Sequence, residues 1–191
     1  MSVFGIGQSY LATNPVTQLA QPLMQRLADQ LGVSVALAVP DQLEMLYIAY
    51  RFAARVSTLQ LGAGSLLPMG TTAIGRAWLG ALPATERRKY VAQLLEKAGP
   101  QAGAQRRSIE AAWDDLHATG VCMAVGEYQR NAWGIALPVR LKRAQISMAM
   151  SCGAVEVGLD IDAVRSRTVP VLKQAAAELE ALLVAVEFKA P

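Results

Sequence analysis

The feature that most restricts this chain is the grouping of its β-forming runs into two blocks, one on each side of a helical stretch. In the first block, residues 33–39 and 45–50 are rich in Val, Leu and Tyr, and Pro40-Asp41-Gln42 between them carries turn chemistry. So short a connection leaves no room for a crossover helix, so the pair is an antiparallel hairpin. A third strand is expected over 55–61, with Val56, Leu59 and Leu61 as its apolar side chains. The second block holds runs at 121–128, 133–141 and 144–152, the last two joined by a basic turn near Lys142-Arg143. Between the blocks, a short helix from Thr72 carries Ile74, Ala77, Trp78 and Ala81 and ends before Pro83. Helices over 85–98 and 104–119 follow, the latter stopped by Gly120 and separated from the former by a Gly/Pro/Ala connection.

Helices also flank the whole. Asn14-Pro15 offers a cap and a first-turn proline to a helix with Leu19, Leu23, Leu27 and Leu31 at intervals of four, ended by Gly32. Pro22 near its middle predicts a kink or a division into two shorter helices. A closing helix over 160–187 carries Val164, Val171, Leu172, Ala175, Leu179 and Leu182. Hairpins with helices inserted between them indicate an α+β class, an antiparallel sheet of about six strands packed by helices. With no internal repeat or linker, 1–191 reads as a single domain, of a size that buries roughly 70% of the surface its unfolded form exposes. The arrangement suits a GAF-like or profilin-like sensor domain.

Composition excludes more than it assigns. Hydrophobic residues make up 53% and charged ones 17%, yet the longest apolar run, 181–188, is far short of the ~20 residues a membrane span needs. The first thirteen residues lack the basic start and apolar stretch of a secretory signal, so a cytoplasmic location is expected. Cys122 and Cys152 show neither CxxC nor Cys/His spacing, and no metal or cofactor is implied. The net charge of +3 is dispersed, which does not support nucleic-acid contact by this chain, and Arg87-Arg88-Lys89 reads as a solvated helix face. Catalytic groups are scarce. His117, the only histidine, suits the last turn of its helix, Asp114 and Asp115 read as solvent-facing, and Asp160 and Asp162 suit a helix start.

The informative segment is 66–77, LLPMGTTAIGRA, where a proline and a glycine deliver the chain to two threonines and then into a helix. The first amides of that helix have no internal partner, so the turn can receive a carboxylate or be capped by Thr71 or Thr72. The longer run LPMGTTAIGRAWLGALP resembles the signature LP-x-H-A-x-x-G-K-A-x-L-A-x-LP of the IclR family of transcriptional regulators. PLMQRLADQLGVSVALAVPDQLEMLYIAY before it, and DDLHATG, GIALPV and MAMSCGA after it, fall in that family's order, so the resemblance covers about residues 4–187. It implies an effector-binding module rather than an enzyme. It also implies self-association as a dimer or tetramer, and DNA contact only through a winged helix-turn-helix, which is expected to have been excised ahead of this chain.

Two departures from the family pattern shape the expected ligand. Gly70 stands where the family often has histidine, and of the stretch Ala124-Val125-Gly126-Glu127, acidic in relatives, only Glu127 keeps a charge. The pocket positions that relatives fill with an acid and a cysteine correspond to Ala124 and Gly134. A roomier, less polar pocket is implied, suited to an aromatic or apolar organic acid more than to the smallest acids. Val56, Leu59, Leu67 and Met69 are expected to line one wall, Ala124, Ala132 and Gly134 the other, and Met150 and Ser151 the floor. Thr72 and the amides of Ala73 and Ile74 would meet the carboxylate. Rival readings are a GAF-like redox enzyme using Cys122 or Cys152, a purely structural dimerisation module, and direct DNA binding.

Overall fold

The structure, a computed structural model, describes residues 14–56, 60–141 and 146–187. Helix α1 (Pro15–Leu31) begins where Asn14 Oδ1 accepts the Val16 amide at 2.9 Å, and ends at Gly32, whose φ of 66° lets its amide reach the Ala28 carbonyl. It runs through Pro22 as one helix rather than two. Pro22 and Gln18, the residue whose carbonyl loses its partner, are both exposed, and water can replace the missing bond. Ala20, Leu23, Met24, Leu27 and Ala28 form a buried stripe spanning both sides of the proline.

Strands β1 (Ser34–Asp41) and β2 (Glu44–Phe52) form the expected hairpin, but their turn is Gln42-Leu43. Pro40 is tolerated inside β1 because the strand's other neighbour pairs only as far as Ala38. Of the third strand expected over 55–61, the described residues 55, 56, 60 and 61 form no part. Residues 60 and 61 are irregular, Val56 closes a turn onto Ala53, and Leu59 lies outside the described residues. Instead β3 (Leu66–Pro68) pairs with Glu44–Leu46, at the opposite end of β2 from its exit at Phe52. The chain must return along β2 before it can pair there, which displaces the strand beyond the apolar run at 55–61.

Helices α2 (Ala73–Ala81), α3 (Ala84–Ala98) and α4 (Ala102–Thr119) follow, with a 3-10 turn (Gly99–Gln101) before the last. The chain then returns to strand as β4 (Cys122–Val125), β5 (Ala132–Leu141) and β6 (Ile146–Val155), and closes with α5 (Ile161–Glu187). Asp160 caps α5 by accepting the Ala163 amide. The basic turn at 142–145 lies outside the described residues. All six strands join one antiparallel sheet in the order β3-β2-β1-β6-β5-β4, its two halves joined by the pairing of β1 with β6.

Strand alternation gives this sheet two unlike faces. One presents Val35, Leu37, Ile135, Leu137, Met148 and Met150 to α1 and α5, whose Leu23, Leu27, Leu172 and Leu179 complete a dense aliphatic core. The other presents Ala36, Ala38, Ala136 and Ala149, with Tyr47 and Cys122, to α2 and the buried positions of α3 and α4. Small side chains let α2 approach closely: a Cβ on Gly134 would stand 3.6 Å from Ala73 Cβ. Where α2 does not cover this face, space remains.

Candidate functional site

The site is built on the turn into α2. Thr72 caps the helix: its hydroxyl donates to the Pro68 carbonyl at 2.7 Å and accepts the Gly75 amide at 3.3 Å. The sequence left Thr71 and Thr72 open as caps, and the structure assigns the role to Thr72. Thr71 remains half-buried beside the open space. Ala73 and Ile74, the first two helical residues, sit where no carbonyl one turn earlier within the helix can receive their amides.

That turn borders a cavity whose open space, mouth included, is about 650 Å³. Its sheet side consists of small residues: Ala36, Ala132, Gly134, Ser151 and Gly153, with Ala124 at the edge. Tyr47, Tyr50 and Tyr128 give it aromatic walls, and Leu61 and Leu67 an aliphatic one. Tyr47 and Tyr50 stack with centroids 5.9 Å apart and planes 18° apart. Three positions apart, they would face opposite sides of a regular strand. The register shift between Leu37 and Ala38 inserts one extra residue into β2, so Tyr50 opposes Ala36 and Tyr47 opposes Ala38 on one face. The Tyr47 phenol is buried, which raises its pKa, and it is hydrogen-bonded to Ser151.

A charged pair adjoins the cavity. Arg76, in the first turns of α2, is 1% exposed. Its Nε donates to the Gly70 carbonyl at 3.0 Å, and its two terminal nitrogens form a forked pair with the Glu127 carboxylate. Glu127 lines the cavity. The Trp113 indole of α4 donates to the Arg76 carbonyl at 3.1 Å, tying this part of α2 to the helix behind it.

Of the residues expected at the site, Leu67, Thr72, Ala73, Ile74, Ala124, Ala132, Gly134 and Ser151 border the cavity. Met69 does not, being fully buried in the core beneath the turn. Met150 does not either: next to Ser151 in a regular strand, it points to the α1 and α5 side, so the two could not share one floor. Val56 is half-buried but away from the cavity, and Leu59 lies outside the described residues. Sequence reasoning missed Tyr47, Tyr50, Tyr128, Thr71, Ser34 and Ala36. Strand parity links Ala36 to Ser151 only once β1 is known to pair with β6, and the tyrosines share a face only through the bulge.

The remaining candidates for chemistry are placed elsewhere. Cys122 and Cys152 are fully buried, and burial pushes the Cys122 thiol up to about 12 and raises Cys152 as well. His117 is exposed in the last turn of α4, with Nδ1 at 3.1 Å from the Trp113 carbonyl. Asp114 is exposed, but Asp115 is half-buried in a forked pair with Arg165 at 2.7 Å on both sides, which joins α4 to α5. The reading of both aspartates as solvent-facing therefore holds for Asp114 alone. Arg87 lies over the Trp113 ring at 4.7 Å, while Arg88 and Lys89 face solvent. Among the described residues, no three His, Cys, Asp or Glu side chains gather as a metal site requires.

Comparison with known proteins agrees with this architecture. The family model described as the bacterial transcriptional regulator IclR C-terminal domain matches residues 8–181. The Pca regulon regulatory protein of Pseudomonas putida is 27% identical over 93% of this chain, which spans 62% of that relative's length. The crystal structure of an IclR family transcriptional regulator from Brucella abortus superposes with a TM-score of 0.88 at 26% identity, covering 95% of this chain and 69% of that one. An IclR homologue from Microbacterium hydrocarbonoxydans, solved in complex with 4-hydroxybenzoate, shares the fold with a TM-score of 0.73 at 20% identity, covering 95% of this chain and 74% of that one. The chain belongs to the C-terminal domain family of bacterial IclR transcriptional regulators.

Proposed function

We propose that this chain is the effector-sensing and self-association domain of a longer IclR-type regulator, and that its cavity takes an aromatic or apolar organic acid. The observation that supports this reading is that one cavity is lined both by a tyrosine-walled small-residue face and by Ala73 and Ile74, the first residues of α2. The face accepts an apolar ring, and the helix start favours a carboxylate. The 4-hydroxybenzoate held by the Microbacterium homologue supports the same ligand class. An acid would act on DNA binding by preferring one of two states of the intact regulator, as a dimer or tetramer. Relatives that are regulators and two thiols buried in their protonated form weigh against an enzyme. No helix among the described residues is long and apolar enough to cross a membrane, in keeping with a cytoplasmic regulator.

A thermal-shift panel containing benzoate, 4-hydroxybenzoate and aliphatic acids tests the site. At least one aromatic acid is expected to raise the melting temperature, and at one hundred times its Kd it adds about 2.7 kcal/mol. Ala124→Trp, on the edge strand β4, fills the cavity and is expected to abolish the shift while leaving the fold intact. Gly134→Leu also fills it but presses on Ala73, so it serves as the second choice. No stabilisation by any acid, or full retention in Ala124→Trp, would overturn the reading.

A further inference from the structure

Arg76 brings a full positive charge to a place that water hardly reaches, and a guanidinium cannot neutralise itself by losing a proton. It must therefore always hold an acceptor, because an unpaired interior cation is strongly unfavourable. In this structure the acceptor is Glu127, whose side chain is still 34% exposed and which contributes the one charge among the described residues lining the cavity. Glu127 stands on the β4–β5 connection, where residues 126–131 are all exposed. Resting on the effector site described above, we propose that Arg76 is the cavity's carboxylate receptor and Glu127 its resident occupant. An incoming organic acid exchanges with Glu127 at the guanidinium and releases the 126–131 connection.

The amides of Ala73 and Ile74 orient a carboxylate but carry only partial charge, and an anion leaving water loses more than a helix start returns. Arg76 supplies the missing full charge. Exchange leaves the guanidinium with one carboxylate before and after, and Glu127, already partly hydrated, moves into water. The ion-pair terms therefore nearly cancel, and the balance is decided by what else the ligand brings. An acid bearing an aromatic ring buries it against Tyr47, Tyr50 and Ala36 and displaces the tethered competitor, whereas an acid without apolar surface does not. Selectivity for ring-bearing acids thus follows from the competitor as well as from the walls.

Titration calorimetry with benzoate, acetate and benzamide on three proteins tests this: the chain itself, Glu127→Gln, and the double variant Arg76→Met with Glu127→Leu, which replaces the ion pair by apolar volume. Glu127→Gln is expected to bind benzoate about tenfold tighter, its competing charge removed, and to acquire measurable affinity for acetate. The double variant is expected to lose the preference for benzoate over benzamide. Unchanged benzoate affinity in a folded Glu127→Gln, or a double variant that keeps the original preference, overturns the exchange while leaving the site intact. Should Glu127→Gln fail to fold, the double variant alone decides. Absence of benzoate binding by every one of the three overturns the exchange, and the site falls with it when no acid of the thermal-shift panel stabilises the chain.

Discussion

Cys122 lies in β4 against the start of α2, with its S–H donated to the Ala73 carbonyl at 3.4 Å. Burial is the main reason its thiol is pushed up to about 12, with the Arg76 charge pulling the other way and not prevailing. Reaction through a thiolate needs the opposite, a lowered pKa and an open approach. Both cysteines are therefore expected to resist labelling by a disulfide reagent at pH 8 in the folded protein and to react when urea exposes them; rapid labelling of the native chain would revive the redox reading. The same shift makes a statement about stability. Between an unfolded value of 9.0 and a folded value of about 12, the folded chain holds a proton that the unfolded chain has released, so stability declines as pH rises. The contribution is complete below pH 9 and is lost toward 12, and Cys122→Ala is expected to flatten the alkaline fall of the urea midpoint.

At the scale of elements, α2 fits its place through Gly75 more than through any side chain. A Cβ there would stand 2.2 Å from the Met69 carbonyl oxygen and 2.5 Å from its Cα, all backbone that no rotamer change relieves. Gly75→Ala is expected to cost about 2 kcal/mol or more and to weaken acid binding with it, because the turn carrying Thr72 must move. A denaturation midpoint equal to that of the parent chain would show that the turn is free to shift. The glycine was visible in the sequence as part of LPMGTTAIGRA, and so was the helix it opens. Not visible was the bulge in β2: regular strand alternation would put Tyr47 and Tyr50 on opposite faces, and only pairing with β1 shows where the extra residue sits. Local chemistry specifies caps and turns, whereas register is settled by a partner strand elsewhere in the chain. That is why Thr72, Ala73 and Ile74 could be singled out from the turn itself, whereas Gly134 entered through the family resemblance and the aromatic wall was not singled out.

For the whole molecule, the order of elements was legible because each has a local signature, but the joining of β1 to β6 is a contact between distant parts of the chain and left no such mark. That joint creates the two unlike faces, and their unlikeness has a dynamic consequence. The layer of α1 and α5 is held by interlocking Leu, Val and Met side chains, while the layer of α2, α3 and α4 rests on alanines and leaves a cavity beside them. Fewer buried apolar contacts mean a lower free energy of local opening. Native-state hydrogen exchange is therefore expected to show amides of α2 and β4 opening below the global unfolding free energy, with those of α5, β1 and β6 opening near it. A bound aromatic acid spans the loose layer and the sheet, so at saturation it should raise protection first in α2 and β4. Under the exchange at Arg76, the Gly126 amide, which donates to the Ala132 carbonyl at 2.8 Å, should lose protection in the same sample. Uniform protection across both layers without ligand would contradict the division of the core, and a bound acid that protects the Gly126 amide together with α2 would show that Glu127 keeps its place on Arg76.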